Sequence, residues 1–355
     1  MNSKLEIGVI GLRMGQEHIE GFLNHPNANV KAICDINPEA LEKVGTRFGI
    51  ESRYQSHEEM IDKEDLDIVT IATPNCFHKP MATYALEHGS HVFCEKPIGL
   101  NMEEAVFLQQ KSEETGKRLM VNFCHRFTPN AIAMKKQIEA GFMGNIYAAS
   151  CKWLRTINEF SQLNGWFSKK KMSGGGALID LGVHCLDKSM WLMGFPEPTS
   201  VLASTHDYIG QMVAAKAGVN FDVDDAVEAM VKFANGATLT LHVSWAANIS
   251  EKTLIEYRLL GDKAGMIEQN LNEGYEFEAS AFYESQGISY KLGFDHVDNT
   301  LVKTSYPYHG TMYHFAEAIL NDQPNMANGN EAIKGMKVID AIYKSAQTGA
   351  PVTFG

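Results

Sequence analysis

The first third of the chain alternates short apolar runs with stretches of helical periodicity. Ile7–Ile10, Val30–Cys34, Ile68–Ala72, His91–Cys94 and Leu119–Phe123 read as strands buried on both faces, the pattern of a parallel sheet covered by helices. Helices fit between them. Asn37-Pro38 supplies an N-cap and a first-turn proline for a helix running to Phe48, with Gly49 as its stop. A second covers Lys79–His88 and stops at Gly89, and a third starts at the capping-box-like pair Asn101 and Glu104 and ends near Gly116. Strand–helix–strand alternation predicts a parallel, doubly wound sheet.

The rhythm changes after residue 123. Thr128-Pro129 opens a helix to Ala140, and another covers Ala177–Met193. Ala226–Phe233 and Ala237–Trp245 flank Asn235-Gly236, a hairpin signal. On the second of these strands Ala237, Leu239, Leu241, Val243 and Trp245 share one face, and Thr238, Thr240, His242 and Ser244 the other. Such alternation predicts a sheet with one covered face and one polar face, the latter open to solvent, substrate or another subunit. Helical patterns at Thr311–Leu320 and Gly329–Thr348 close the chain. With 355 residues, more than the roughly 250–300 at which single cores stop growing, two domains are expected. They are an α/β domain over residues 1–122 and an α+β domain over 123–355, the last helix being free to pack back on the first.

Charge narrows the partners. Lys and Arg number 31 against 43 Asp and Glu, a net charge of −12. That deficit argues against nucleic acid or an anionic membrane and says little about a neutral polyol. No stretch reaches the roughly 18 apolar residues of a membrane span. Met1–Glu6 runs straight into the first strand without a leader-like segment, so a cytoplasmic location is expected. Cys34, Cys76, Cys94, Cys124, Cys151 and Cys185 include no C-x-x-C pair. They read as reduced, mostly buried thiols, and no metal site is expected.

Four segments carry candidate chemistry. Gly11-Leu12-Arg13-Met14-Gly15 follows the first strand and leads into a helix containing His18. Glycine here lets the backbone approach a pyrophosphate at the helix N-terminus. Arg13 stands where a second glycine is expected, and a plain strand–helix turn is the alternative. Asp35 ends the second strand, where its carboxylate can accept hydrogen bonds from ribose hydroxyls and repel a 2′-phosphate. It favours NAD over NADP, with Arg13 pulling the other way; its alternative is a helix-start residue beside Asn37. Cys94-Glu95-Lys96-Pro97 lies at the carboxyl end of a parallel strand, where open α/β sheets place ligands, although a surface lysine would read the same. Last, Gly174-Gly175-Gly176 precedes Asp180 and His184, four residues apart on one helical face. The glycines permit close approach of backbone to ligand. Alone, such a pair is more often a surface hydrogen bond or a metal-ligand pair than a catalytic dyad.

Taken together, these segments resemble the glucose–fructose oxidoreductase/inositol dehydrogenase (Gfo/Idh/MocA) family. The resemblance spans essentially the whole chain. It rests on the glycine turn with His18, on Asp35, on Ala72-Thr73-Pro74-Asn75-Cys76-Phe77-His78, on Glu95-Lys96-Pro97, and on Gly174–His184 with Asp187, Trp191 and Gly194 beyond. It implies a Rossmann domain followed by an α+β domain with a large, mainly antiparallel sheet, often used for oligomerisation into a homodimer or homotetramer. It implies NAD as cofactor and a sugar, sugar derivative or inositol as substrate. Lys96, Asp180 and His184 match the family's catalytic positions. Gly11, Leu12, Arg13, Met14, Asp35, Thr73, Pro74, His78, Glu95 and Lys96 fall where the family lines its cofactor, and its Lys-Pro bond is often cis. Trp166 walls the nicotinamide or fills core, the two being evenly balanced.

The physical logic agrees with the resemblance. Hydride leaves a carbinol carbon readily only if the hydroxyl proton is removed, a task suited to histidine. A lysine donates to the substrate oxygen and stabilises developing alkoxide charge. Asp180 orients His184 or holds a neighbouring hydroxyl. Polar side chains available to a polyol are Asn122, Arg126, Arg155, Asn158 and His309, each equally readable as structural. Specificity is expected from Thr156–Phe167 and Asp295–His309. Two alternatives stand beside the dehydrogenase: an enzyme that retains NAD and cleaves glycosidic bonds by oxidation and elimination, and a non-catalytic NAD-binding regulator.

Overall fold

The computed structural model describes residues 4–161, 165–294 and 307–355. Residues 162–164 and 295–306, parts of the two expected specificity segments, lie outside the described residues. In chain order the first elements are β1 Leu5–Ile10, α1 Gly15–Leu23, β2 Ala28–Cys34, α2 Pro38–Phe48, β3 Ser52–Tyr54, α3 His57–Lys63, β4 Ile68–Ile71, α4 His78–Glu87, β5 His91–Cys94, α5 Met102–Thr115 and β6 Leu119–Val121. Next come α6 Pro129–Glu139, β7 Ile146–Thr156, α7 Lys170–Ser173, a π-helical turn Leu178–Gly182 running into α8 Val183–Leu192, β8 Pro198–His206 and α9 Tyr208–Ala217. The chain ends with β9 Ala226–Phe233, β10 Thr238–Ala247, β11 Thr253–Gly261, β12 Ala264–Leu271, β13 Glu276–Ser285, β14 Ile288–Gly293, α10 Gly310–Leu320, α11 Gly329–Thr348 and β15 Val352–Thr353.

These elements form two compact units, Met1–Phe127 with Asn299–Ile333, and Thr128–Asp298 with Lys334–Gly355. The units interleave along the chain, whereas the apolar pattern points to a single cut after residue 122. The reason is local to the first unit. After β6 the chain turns, and residues 322–331 return to cover that edge strand: Val121 N–H donates to Ala327 O, Asn325 Nδ2 to Leu119 O, and Met120 bridges Asn328. Arg118 bonds Asp322 and the carbonyl of Gln323. An edge strand left open presents unpaired backbone groups, and this segment satisfies them.

The first unit's sheet is wholly parallel, in the order β3-β2-β1-β4-β5-β6. Its central strands are buried throughout, as the unbroken apolar runs require: Ile7, Val9, Ile68, Val69, Ile71, Val92 and Phe93 are all inaccessible. The helix starts follow the sequence signals. Asn37 Oδ1 accepts from Glu39 N–H with Pro38 in the first turn, and Asn101 Oδ1 accepts from Glu104 N–H while Glu104 returns a carboxylate to Leu100 N–H. Strand β6 is shorter than its apolar run because Phe123 N–H turns back onto Val121 O.

The second unit is built on a nine-stranded sheet, in the order β14-β13-β12-β11-β7-β10-β9-β8-β15. Only β7 and β10 pair in parallel; every other pair is antiparallel. The Asn235-Gly236 hairpin joins β9 and β10, and the expected alternation holds as far as Val243; Ser244, expected on the polar face, is buried, and Ala246 N–H bonds its hydroxyl. Leu239, Leu241, Val243 and Trp245 are buried, while Thr240 stands exposed among Leu202 and Met230 on the open face. Beneath the covered face Lys188 and Glu268 form a wholly buried ion pair, with the ammonium over the ring of Tyr257. All six cysteines are free thiols, four of them buried.

Candidate active site

The nucleotide end of the first unit is built by the turn after β1. Gly11 adopts φ +86°, and a Cβ there would stand 2.6 Å from the carbonyl oxygen of Ala72. A Cβ on Gly15 would meet Val9 at 2.9 Å. The turn therefore needs glycine at both ends, and Arg13 and Met14 between them are exposed. No side chain caps the N-terminus of α1, so its first-turn N–H groups suit a diphosphate. Asp35 sits at the end of β2, where Oδ2 accepts from Leu12 N–H and Oδ1 from Asn37 N–H, each at 2.8 Å. A carboxylate has about four lone-pair positions, so two remain for ribose hydroxyls. The residues present fit a dinucleotide.

A buried polar chain underlies the neighbouring strand ends. His18 of α1 is inaccessible; its Nδ1 lies 2.5 Å from Thr70 Oγ1 and its Nε2 2.9 Å from Glu95 Oε1. A carboxylate accepts only, so Nε2 donates to Glu95. Asn122 Nδ2 donates to the same Glu95 oxygen at 2.6 Å and its Oδ1 accepts from Thr311. Burial pushes the Glu95 carboxyl up, but His18, Lys96 and Asn122 outweigh it and hold the group below its ordinary value. Glu95 Oε2 in turn accepts the backbone N–H of Lys96 at 3.1 Å. Lys96 follows β5, half-buried, and its bond to Pro97 is cis.

His78 is fully buried and stands between two backbone carbonyls, Nδ1 at 2.7 Å from Pro97 O and Nε2 at 2.9 Å from Thr73 O. Desolvation holds its pKa down. It packs between the Thr73-Pro74 turn and the Lys96-Pro97 turn, a neutral ring donating to one of the two carbonyls at a time. Thr73 and Pro74, at the end of β4, remain partly accessible.

The second unit supplies the other candidates. Asp180 lies in the π-helical turn and His184 in the first turn of α8. Turns of this type concentrate at functional sites. Trp245 of β10 donates its indole N–H to Asp180 Oδ2 at 2.9 Å, and Arg155 stands 4.0 Å from the same oxygen while bonding Tyr275 Oη. The ring of His184 packs 5.8 Å from that of Trp153. The three glycines before this helix answer to the protein itself. Gly174 has φ +84°, a Cβ on Gly175 would lie 1.9 Å from Tyr343 Oη, and one on Gly176 would lie 1.7 Å from Asp224 O. Close approach is required, as expected, but the approaching groups belong to Asp224 and Tyr343, which the sequence reading missed. Asp224-Asp225 just ahead of β9 was a visible signal; Tyr343 had none.

Several proposed contacts are placed elsewhere. Arg126 is inaccessible and paired with Glu331 at 2.6 Å, so it is a structural cation of the first unit and not a substrate contact. Asn122 spends its side chain on Glu95 and Thr311. His309 is buried against α1, with Glu17 at 3.0 Å and Asn24 at 3.3 Å. Trp166 stacks on Phe167 with ring centroids 3.9 Å apart. Asn158 is exposed. Of the five substrate candidates, Arg155 is held beside Asp180 of its own unit.

The reversal of strand order at β1 and β4, where the glycine turn lies, makes the first unit a binder of dinucleotides. Such a unit is that of NAD-binding oxidoreductases. The chain belongs to the Gfo/Idh/MocA oxidoreductase family: the NAD-binding Rossmann fold of that family matches residues 5–123 and its C-terminal alpha/beta domain residues 135–354. The D-glucoside 3-dehydrogenase of Escherichia coli K12 is 28% identical, over 99% of this chain and 98% of that protein. The levoglucosan dehydrogenase of Pseudarthrobacter phenanthrenivorans is 30% identical over 67% of this chain and 64% of its own. A solved levoglucosan dehydrogenase in complex with NADH and levoglucosan superposes with a TM-score of 0.87 at 25% identity, covering 99% of both chains. No helix among the described residues is long and apolar enough to cross a membrane.

Proposed function

We propose that this protein is a dehydrogenase that prefers NAD to NADP and oxidises a hydroxyl-bearing carbon of a sugar, sugar derivative or inositol. Asp35 supports the preference for NAD, since its carboxylate ends β2 with lone pairs left for ribose hydroxyls and repels a 2′-phosphate. The observation that carries the reaction is the placing of Asp180, held by Trp245, and His184 four residues apart on one helical segment, in a family with full-length relatives named D-glucoside 3-dehydrogenase and scyllo-inositol 2-dehydrogenase. NAD, when bound, supplies the hydride acceptor.

The chain's own residues do the rest. His184 takes the hydroxyl proton as the carbinol carbon is oxidised and returns it in reduction. Lys96, fixed at its backbone by Glu95, places its ammonium to stabilise alkoxide charge. Asp180 orients His184 and accepts from a neighbouring hydroxyl, with Arg155 beside it. The names of the full-length relatives support glucosides and inositols as the first substrates to try. The open face of the nine-stranded sheet, with Leu202 and Met230 exposed, supports a homodimer or homotetramer, and six free thiols support a cytoplasmic enzyme.

The test is a panel of free sugars, alkyl glucosides, levoglucosan and inositols followed by NADH absorbance. Turnover with one or more members is expected, with NADH formed in proportion to product. His184→Ala and Lys96→Ala should each lower kcat by roughly 10²–10⁴-fold while NADH binding, read by fluorescence, stays intact. Full activity in both variants overturns the assignment.

A further inference from the structure

The helical segment that carries Asp180 and His184 has no cap of its own. Neither Ala177 at the start of the π-helical turn nor Gly182 at the start of α8 offers a side-chain acceptor. Yet the first N–H groups of a buried helix must be satisfied. Here the acceptor comes from a residue 46 to 48 positions further along the chain. Asp224 Oδ1 accepts from Gly176 N–H at 2.8 Å, Oδ2 from Leu178 N–H at 2.9 Å, and its own carbonyl from Ala177 N–H at 2.9 Å. Tyr343 of α11 closes the group, donating its hydroxyl to Oδ1 at 2.8 Å.

The same corner reaches Asp180 from the other side. Trp245 N–H bonds the carbonyl of Asp225, and the Trp245 indole N–H bonds the Asp180 carboxylate. The backbone start of the helix and the side chain of Asp180 are thus referred to one pair of adjacent residues at the head of β9. The fit leaves no slack, since Gly175 and Gly176 have no room for a Cβ against Tyr343 and Asp224. Asp224 is only 7% exposed, and burial pushes its carboxyl up while the Leu178 and Gly176 amides and Tyr343 pull it back.

We propose that Asp224, locked by Tyr343, is the positioning residue that sets where Asp180 and His184 stand, and that turnover depends on this remote cap. It touches no reacting atom. The proposal rests on the reading above that Asp180 and His184 act on substrate.

The test uses full-length Asp224→Ala, Asp224→Asn and Tyr343→Phe, with kcat and KM for NAD and sugar. It adds the His184 ring carbon resonance from histidine-labelled protein, which needs no turnover. Asp224→Ala should lower kcat by about 10- to 100-fold, with KM for NAD within about twofold and the His184 resonance displaced. Asp224→Asn, which keeps one acceptor, should fall between Asp224→Ala and wild type, and Tyr343→Phe should show the smallest loss. Val201→Ala, a buried change in β8, should lower the Tm but leave kcat and the resonance unmoved. If Asp224→Ala does not fold, Asp224→Asn and Tyr343→Phe carry the test. Wild-type kcat together with an unmoved resonance in those two overturns the proposal. So does a loss of kcat that Val201→Ala reproduces at equal Tm. Should His184→Ala keep full turnover, the catalytic assignment falls on its own, and the resonance still judges whether Asp224 positions His184.

Discussion

Two glycine-rich turns in this chain lead into helices, and they treat the positive end of the helix in opposite ways. Gly11–Gly15 enters α1 with no side-chain cap on the helix itself, and Asp35 takes only the Leu12 N–H of the turn. Gly174–Gly176 enters the Asp180/His184 segment with its amides already taken by Asp224. Glycine is sterically required in both turns, against Ala72 and Val9 in the first and against Tyr343 and Asp224 in the second. A glycine run before a helix therefore identifies close approach and leaves open who approaches. The acceptor decides.

The largest way to break this contrast is Gly176→Ala. Its Cβ would be forced into a backbone carbonyl, and a loss of about 3 kcal/mol in urea unfolding is expected, with NADH affinity preserved in whatever remains folded. An unchanged unfolding midpoint would show that the second turn has slack after all. Asp35→Ala is the complementary change at the first turn. NADH affinity should fall about tenfold and discrimination against NADPH should narrow, for a stability cost of about 1 kcal/mol from the Leu12 and Asn37 amides. Equal binding of NADH and NADPH by the wild type would remove Asp35 from its role.

The smallest expected effect is a difference of sign with pH between the buried carboxylates of the two regions. Glu95 is held below its ordinary 4.5, so its contribution is complete above that value and is lost as pH falls through its lower folded value. Asp224 is raised above its ordinary 3.8, so protonation stabilises the fold as pH falls through its raised value. The cost of Glu95→Gln should therefore shrink on acidification below about 4.5, and that of Asp224→Asn should grow as pH approaches 3.8 from above. Tm measured for each variant and the wild type across pH 7 to 4 checks both, and parallel curves for the two variants would contradict the assigned shifts.

Much of this was legible in the amino-acid sequence, because the first unit is written in local signals. Asn37-Pro38, Asn101 with Glu104, and Thr128-Pro129 each start a helix where they stand, and the unbroken apolar runs become the parallel strands. The Asn235-Gly236 hairpin and its two-faced strand were equally plain. What escaped was non-local. Arg126 reads as a free polar group until Glu331 arrives beside it, 205 residues later. His78 and His309 belong to a motif and to a helix start, yet their partners are carbonyls and carboxylates that no spacing announces. Tyr343 is one aromatic among many in the pattern of α11, and only packing puts its hydroxyl against Asp224.

The return of residues 322–331 to the edge of β6 bears on how such enzymes can be recombined. A chimera that exchanges residues 1–122 between relatives leaves the donor's last parallel strand beside a foreign covering segment, with Asn325 and Ala327 supplied by the wrong parent. The exchangeable module is discontinuous: it needs 1–127 and 299–333 moved as one, by two splices instead of a single junction. The NAD-binding half of this architecture is thus an interrupted block, and breeding new specificities by simple crossover would select for parents already matched across that interruption.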